Sequence, residues 1–167
     1  MKTLISALLL LLVTGFTLPA DVTYTDEQLE FLENLTFTDF EGNEHDLSVF
    51  EGQVVLIDVW ETWCTPCLVS FPHLDELQET FAGDFVVLAL SPKMMDSRDV
   101  ITDFISEHDY DFFYAYNEEI AEALEINSLP YKIYIDPNGN FVKTKIGNQG
   151  PEADYETTRE VIEEYGG

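Results

Sequence analysis

Cys64-Thr65-Pro66-Cys67 places both cysteines of this 167-residue chain three positions apart. Two thiols at that spacing, where a helix begins, can close a small disulfide ring. The unpaired amides and the dipole at a helix start also favour an anion, here the thiolate of Cys64. With no other cysteine in the chain, redox chemistry or a soft metal belongs in this tetrapeptide or nowhere. Zinc usually takes four protein ligands in a structural site, and His45, His73 and His108 are scattered without ligand spacing.

The elements that must hold the pair are readable on both sides of it. Residues 54–59, Val-Val-Leu-Ile-Asp-Val, have the composition of a strand buried on both faces. Asp58 sits inside that strand, where an ionised carboxylate is costly and its pKa should rise. After Cys67, the positions Phe71, Leu74, Leu77 and Phe81 recur at helical spacing, with Pro72 inside the helix and Gly83 closing it. Upstream, residues 36–40 and 45–50 flank turn residues and predict a hairpin. Downstream, strands are expected over 85–90, 112–116, 131–135 and 141–146, with helices after Ser97, over 117–124 and at the C-terminus. Asp136-Pro137-Asn138-Gly139 is a strong turn signal between the last two strands. Strands alternating with helices predict an α/β fold with a central mixed sheet covered on both faces.

Composition narrows the class. Thirty-three acidic residues against seven basic ones give a net charge of −26, which argues against nucleic acid and anionic membranes as partners. The surplus reads as a solubilising surface or, more sharply, as adaptation to high salt. Residues 1–20 carry one charge, Lys2, before an apolar run and a small-residue tail. They read as a secretory signal peptide or an uncleaved anchor. Residues 21–34 read as an acidic tether or short helix anchored by Leu29, Phe31 and Leu32. One domain is expected over 35–167.

These features together resemble the thioredoxin superfamily, in particular the extracytoplasmic group typified by TlpA and ResA. Trp60-Glu61-Thr62-Trp63-Cys64-Thr65-Pro66-Cys67 matches W-x-x-W-C-x-x-C, Pro72 matches the helix proline, and Ser128-Leu129-Pro130 before a strand matches the cis-proline loop. Residues 37–42 with Leu47, Ser48 and Gly52 resemble the N-terminal hairpin extension of that group. Two departures stand out. Ser70 occupies a position where ResA-like members carry glutamate. Asp58 stands where TlpA-like members often carry asparagine, and matches the buried aspartate of thioredoxin.

The resemblance implies a thioredoxin-like fold and thiol-disulfide exchange with protein clients, without a cofactor beyond the cysteine pair. It implies Cys64 as nucleophile, Cys67 as the resolving thiol and Asp58 as proton relay to Cys67, unless Asp58 is simply satisfied by backbone and water. Trp63, Leu129 and Pro130 would contact the client. Thr65-Pro66 puts no cation between the sulfurs, which suggests a mild or reducing couple rather than a strong oxidant. A transmembrane thiol carrier would then supply electrons to a monomer outside the cytoplasm. Glu61 is expected to be a solvated loop acid and Ser70 helix surface or packing. Two alternatives share the fold. A peroxiredoxin would want proline and threonine or serine where Ile57 and Glu61 stand. A Cu(I) chaperone would use Cys64 and Cys67 as soft ligands.

The charge imbalance makes a direct prediction. Screening of carboxylate self-repulsion should raise the melting temperature as KCl rises from low to molar concentration. A flat melting temperature across that range removes the high-salt reading.

Overall fold

The structure is a computed structural model, and it describes residues 22–147 and 149–167. The signal peptide or anchor expected over 1–20 lies outside the described residues.

Seven strands form one sheet in the order β2-β1-β5-β4-β3-β6-β7. They are β1 (Thr36–Asp39), β2 (Glu44–Asp46), β3 (Val54–Val59), β4 (Phe85–Ser91), β5 (Phe113–Tyr116), β6 (Tyr131–Ile135) and β7 (Phe141–Ile146). The three central strands β3, β4 and β5 are parallel. Strand β6 runs antiparallel to β3 and β7 antiparallel to β6. The expected hairpin is β1–β2, antiparallel, and it joins the sheet through β1 against β5. Its second half is shorter than expected, because Leu47–Phe50 turn into a 3-10 helix capped by the Asp46 side chain on the Ser48 amide.

Strand β3 is buried along its whole length, and its residues alternate between two cores. Val55, Ile57 and Val59 face one layer with Leu32 of α1 (Asp26–Glu33) and Ile120 of α4 (Ile120–Ala123). Val54 and Leu56 face the other with α2 (Thr65–Thr80), α3 (Arg98–Glu107) and α5 (Pro151–Tyr165), where both cysteines lie. Aromatic edges knit that second layer. Trp60 meets Phe71 at 5.0 Å between ring centroids and Phe104 at 4.9 Å. Helix α2 continues through Pro72, as expected.

Of the two readings of residues 21–34, the short helix holds, as α1, and the acidic tether is corrected: the helix packs as part of the domain. Thr25 and Gln28 form a reciprocal capping box at its start. Leu32 and Leu35 are buried in the first core, and Leu29 and Phe31 pack against it. Tyr24, ahead of the helix, hydrogen-bonds the Tyr131 hydroxyl at 2.9 Å. Apolar anchors spaced along one helix face outweigh the acidic character of the segment. Truncating Leu32 to Ala should therefore cost about 2–5 kcal/mol in a urea titration, as for a core leucine. A loss near zero would return the segment to the status of a tether.

Candidate active site

Strand β3 ends at Val59, and the loop 60–64 delivers the cysteines to the first turn of α2. Cys64 is the N-cap of that helix, and its Sγ accepts a hydrogen bond from the Cys67 amide at 3.3 Å. Cys64 and Cys67 are joined in a disulfide. Both are buried, with 2% and 0% of their surface exposed, so Cys64 is the nearer to solvent by a small margin. The amide and helix terminus that meet Cys64 Sγ supply a ready acceptor environment for a thiolate once the bond is reduced. Thr65 is exposed and Pro66 half-buried, and neither brings charge to the sulfurs.

Leu129-Pro130 is a cis peptide, as the resemblance implies. Pro130 is buried, its carbonyl accepts the Gly147 amide at 2.9 Å, and Leu129 packs against the cluster that contains both cysteines. Trp63 is half exposed, at 49%. Trp60 is fully buried core, as expected.

Glu61 departs from expectation. It is fully buried, not a solvated loop acid. Its carboxylate accepts the Trp63 indole N–H at 2.6 Å and the Met95 amide at 3.0 Å. In return, Asp96 accepts the Thr62 amide at 2.5 Å and the Thr62 hydroxyl at 3.1 Å. Two acids thus clasp the cysteine loop to the loop after β4 by accepting each other's backbone. Through Glu61 the clasp links the Trp63 indole to the Met95 backbone, and Met94 and Met95 are 52% and 76% exposed. The signal available in the sequence was its position: a carboxylate next to Trp60 and two residues before Trp63 has an indole donor within reach.

Asp58 is fully buried, and by alternation it faces the α2–α5 layer with the cysteines. Its partner was not foreseen. Lys132 of β6 lies directly opposite in the strand register, fully buried, with Nζ 3.0 and 3.2 Å from the two Asp58 oxygens. Burial pushes the Asp58 carboxyl up, and the Lys132 ammonium draws it partly back; the net direction is upward. Ser70 is buried too, and its hydroxyl lies 2.7 Å from Asp154 Oδ2 of α5 and 3.2 Å from the Pro66 carbonyl. It donates to the nearer, charged acceptor. Lysine amid Tyr131, Ile133, Tyr134 and Ile135 was a legible sign of a buried cation awaiting an acid.

Among the described residues, no group of three or more His, Cys, Asp or Glu side chains is arranged to hold a metal ion. A broad cavity of about 830 Å³, lined by Asp46, Ser48, Val55, Ile135 and Asp136, opens at the opposite end of β3 and β6 from the disulfide. The chemistry is not in that cavity.

The buried pair changes what substitution does. An isolated buried carboxylate would leave Asp58→Asn neutral or stabilising; with Lys132 opposite, either single change strands a charge. Lys132→Met should lose about 3–5 kcal/mol at neutral pH. The sign with pH follows from linkage. In the variant the Asp58 pKa stands still further above its unfolded value, so stability is retained at low pH, where the carboxyl is protonated, and lost as pH rises through the folded-state pKa. Urea titrations from acid to neutral pH check this, and Asp58→Asn with Lys132→Met together should recover most of the loss. A loss independent of pH would mean that packing, not charge, is what Lys132 contributes.

Comparison with known proteins places this geometry. Residues 18–162 match the Redoxin family model. A thiol-disulfide oxidoreductase ResA from Bacillus thuringiensis subsp. konkukian is 30% identical over 158 residues, covering 90% of this chain and 85% of its own length. The crystal structure of the exposed lipoprotein thioredoxin of Streptococcus pneumoniae aligns with a TM-score of 0.61 at 26% identity, over 76% of this chain and 98% of that one. A thiol:disulfide interchange protein DsbE from Chlorobium tepidum shares the fold, with a TM-score of 0.68 at 24% identity over 79% and 92% of the two chains. With a cysteine pair closed as a disulfide at the head of α2 and a cis-proline behind it, the chain belongs to the Redoxin family and is a thioredoxin-fold thiol-disulfide oxidoreductase.

Proposed function

We propose that the chain is an extracytoplasmic reductase of protein disulfides. Cys64 thiolate attacks one sulfur of a client disulfide, and the other client sulfur leaves as a thiolate. Cys67 gives its proton to the Asp58 carboxylate and, as thiolate, attacks Cys64 Sγ; the Cys64–client bond breaks and the second client sulfur leaves. Two electrons pass to the client and the Cys64–Cys67 disulfide remains, so no bound cofactor takes part.

The observation that carries this reading is the hydrogen bond from the Cys67 amide to Cys64 Sγ at 3.3 Å. It supports Cys64 as the sulfur that the helix terminus would stabilise as an anion once the disulfide is reduced. Only neutral groups, Thr65 and Pro66, separate the sulfurs. The thiolate is therefore stabilised by helix amides alone, which suits a reducing couple. Trp63 and the Leu129-Pro130 backbone receive the client strand beside the sulfurs. A reductase in an oxidising compartment must be recharged, and a transmembrane thiol carrier is the donor class that fits. The likeness to an exposed lipoprotein thioredoxin supports the extracytoplasmic setting.

Cys67→Ser should accumulate mixed disulfides through Cys64, visible on a non-reducing gel and released by dithiothreitol, while Cys64→Ser accumulates none. Alkylation of the reduced protein at neutral pH that struck Cys67 first would reverse the roles. The reduction potential, measured against a glutathione or dithiothreitol buffer, should lie nearer to about −270 mV than to about −120 mV. A value at the oxidising end would make the chain an oxidant of its clients.

A further inference from the structure

Asp154 and Lys145 take no part in the steps above, yet the pattern beneath the disulfide requires them. Across three adjacent strands the register aligns Asp58 of β3, Lys132 of β6 and Lys145 of β7 in one row on one face. The first two attract. The second two are like charges directly opposite each other, which is destabilising. Asp154, from the first turn of α5, enters between them. Its Oδ2 is 3.8 Å from Lys132 Nζ, and its Oδ1 is 2.7 Å from Lys145 Nζ, a close charge contact whose angle is not that of a directed hydrogen bond. Asp154, Asp58 and Lys132 are fully buried, and Lys145 is 10% exposed. Ser70 ties the same Oδ2 to α2, one helical turn past Cys67.

We infer that Asp154, held by Lys145, is a positioning residue that divides the Lys132 ammonium between itself and Asp58, and so sets the pH range over which Cys67 completes exchange. The inference rests on the reading of Asp58 as proton acceptor. The groups that face Asp58 are Lys132 and Tyr134 from β6, Lys145 from β7, Asp154 from α5, and Ser70 and Cys67 from α2; β4 presents Ala89, without charge. Of the fixed charges, Lys132 and Lys145 favour the carboxylate and Asp154 opposes it, in line with its upward effect on the Asp58 carboxyl. Asp58 accepts a proton only when ionised, so resolution quickens as pH rises through its titration.

Two substitutions should then move that profile in opposite directions. Asp154→Asn removes the anion that competes for Lys132 and leaves both lysines to favour the carboxylate, so the profile moves to lower pH. Lys145→Met removes one cation and turns Asp154 toward Lys132, so the profile moves to higher pH. A shift of about one pH unit either way, tenfold in rate on the acid limb, is the size expected of a neighbouring charge. A purely structural role moves neither in a charge-dependent sense.

The test is single-turnover oxidation of the reduced full-length protein by a chromogenic aryl disulfide, dithiobis-nitrobenzoate. Cys64 attack releases one aryl thiolate. Cys67 attack on Cys64 Sγ releases the second and forms the protein disulfide, and the rate of this second phase is followed against pH. Asp58→Asn with Lys132→Met, which removes the buried pair together, should leave the second phase without this titration; if the titration persists, the reading of Asp58 fails. If it vanishes but Asp154→Asn and Lys145→Met both keep the native midpoint, or both move it the same way, the role of Asp154 is overturned while that of Asp58 stands. Should Asp154→Asn fail to fold, the upward shift in Lys145→Met, at a position near the surface, carries the test alone.

Discussion

The ion pair between Asp58 and Lys132 is the constraint on which the rest of the molecule depends. Both groups are sealed from water in the middle of a sheet. Neither is tolerable alone, because taking a single charge out of water costs several kcal/mol (of order) that only a well-placed partner offsets. Strand register therefore has no freedom at β3–β6: a slip of one residue would turn Lys132 to the opposite face and leave both charges bare. The lysine opposite Lys132 then demands a second acid, and among the described residues no strand lies beyond β7 to provide it. Helix α5 must close over that edge to bring Asp154 down, and its first turn is fixed by that need.

The same economy of acids appears at the rim. A chain with 33 acidic residues and 7 basic ones cannot neutralise its carboxylates with cations. Around the cysteine loop it uses them as hydrogen-bond acceptors for backbone amides and an indole. Such charge-assisted bonds are stronger than neutral ones and need no counter-ion. Glu61 and Asp96 each take the other's loop, so the residues flanking Cys64 are fixed by a clasp that contains no lysine or arginine. The loop thus stays ordered by acceptors alone, and the cations of the site, Lys132 and Lys145, stay in the sheet with Asp58 and Asp154.

Much of this was legible beforehand, for reasons that differ by residue. The strands and the active-site helix declare themselves through apolar runs and spacing, and the β6 and β7 bounds fall where composition puts them. Cys64 and Cys67 stand at the spacing that closes a small disulfide ring, and Pro130 was placed by the resemblance of Ser128-Leu129-Pro130 to a cis-proline loop. Asp58 was visible as an acid within an apolar run, but its partner is 74 positions away, and only register connects them. Asp154 reads as one more acid in an acidic helix, since its burial depends on which face α5 turns to the sheet. Glu61 was misread because a loop acid is ordinarily solvated, and here the loop folds over it. The segment before β1 showed its apolar anchors, Leu29, Phe31 and Leu32, but its acidic character set it outside the domain, where the packing of Leu32 puts it inside.

A balanced buried cluster also suits the chemistry proposed for it. Asp58, Asp154, Lys132 and Lys145 sum to no net charge when all are ionised. Moving a proton from Cys67 to Asp58 converts a neutral thiol and a carboxylate into a thiolate and a neutral acid, so the enclosed charge is unchanged and only its position moves. Releasing the same proton to water would leave an extra anion in a poorly solvated site, a far larger electrostatic cost. Lys132 is placed to follow that shift. As Asp58 is neutralised the ammonium keeps a carboxylate within reach in Asp154, at 3.8 Å, so the cation is never left unpaired. The second acid thereby gives the first the freedom to change its protonation state inside a closed core.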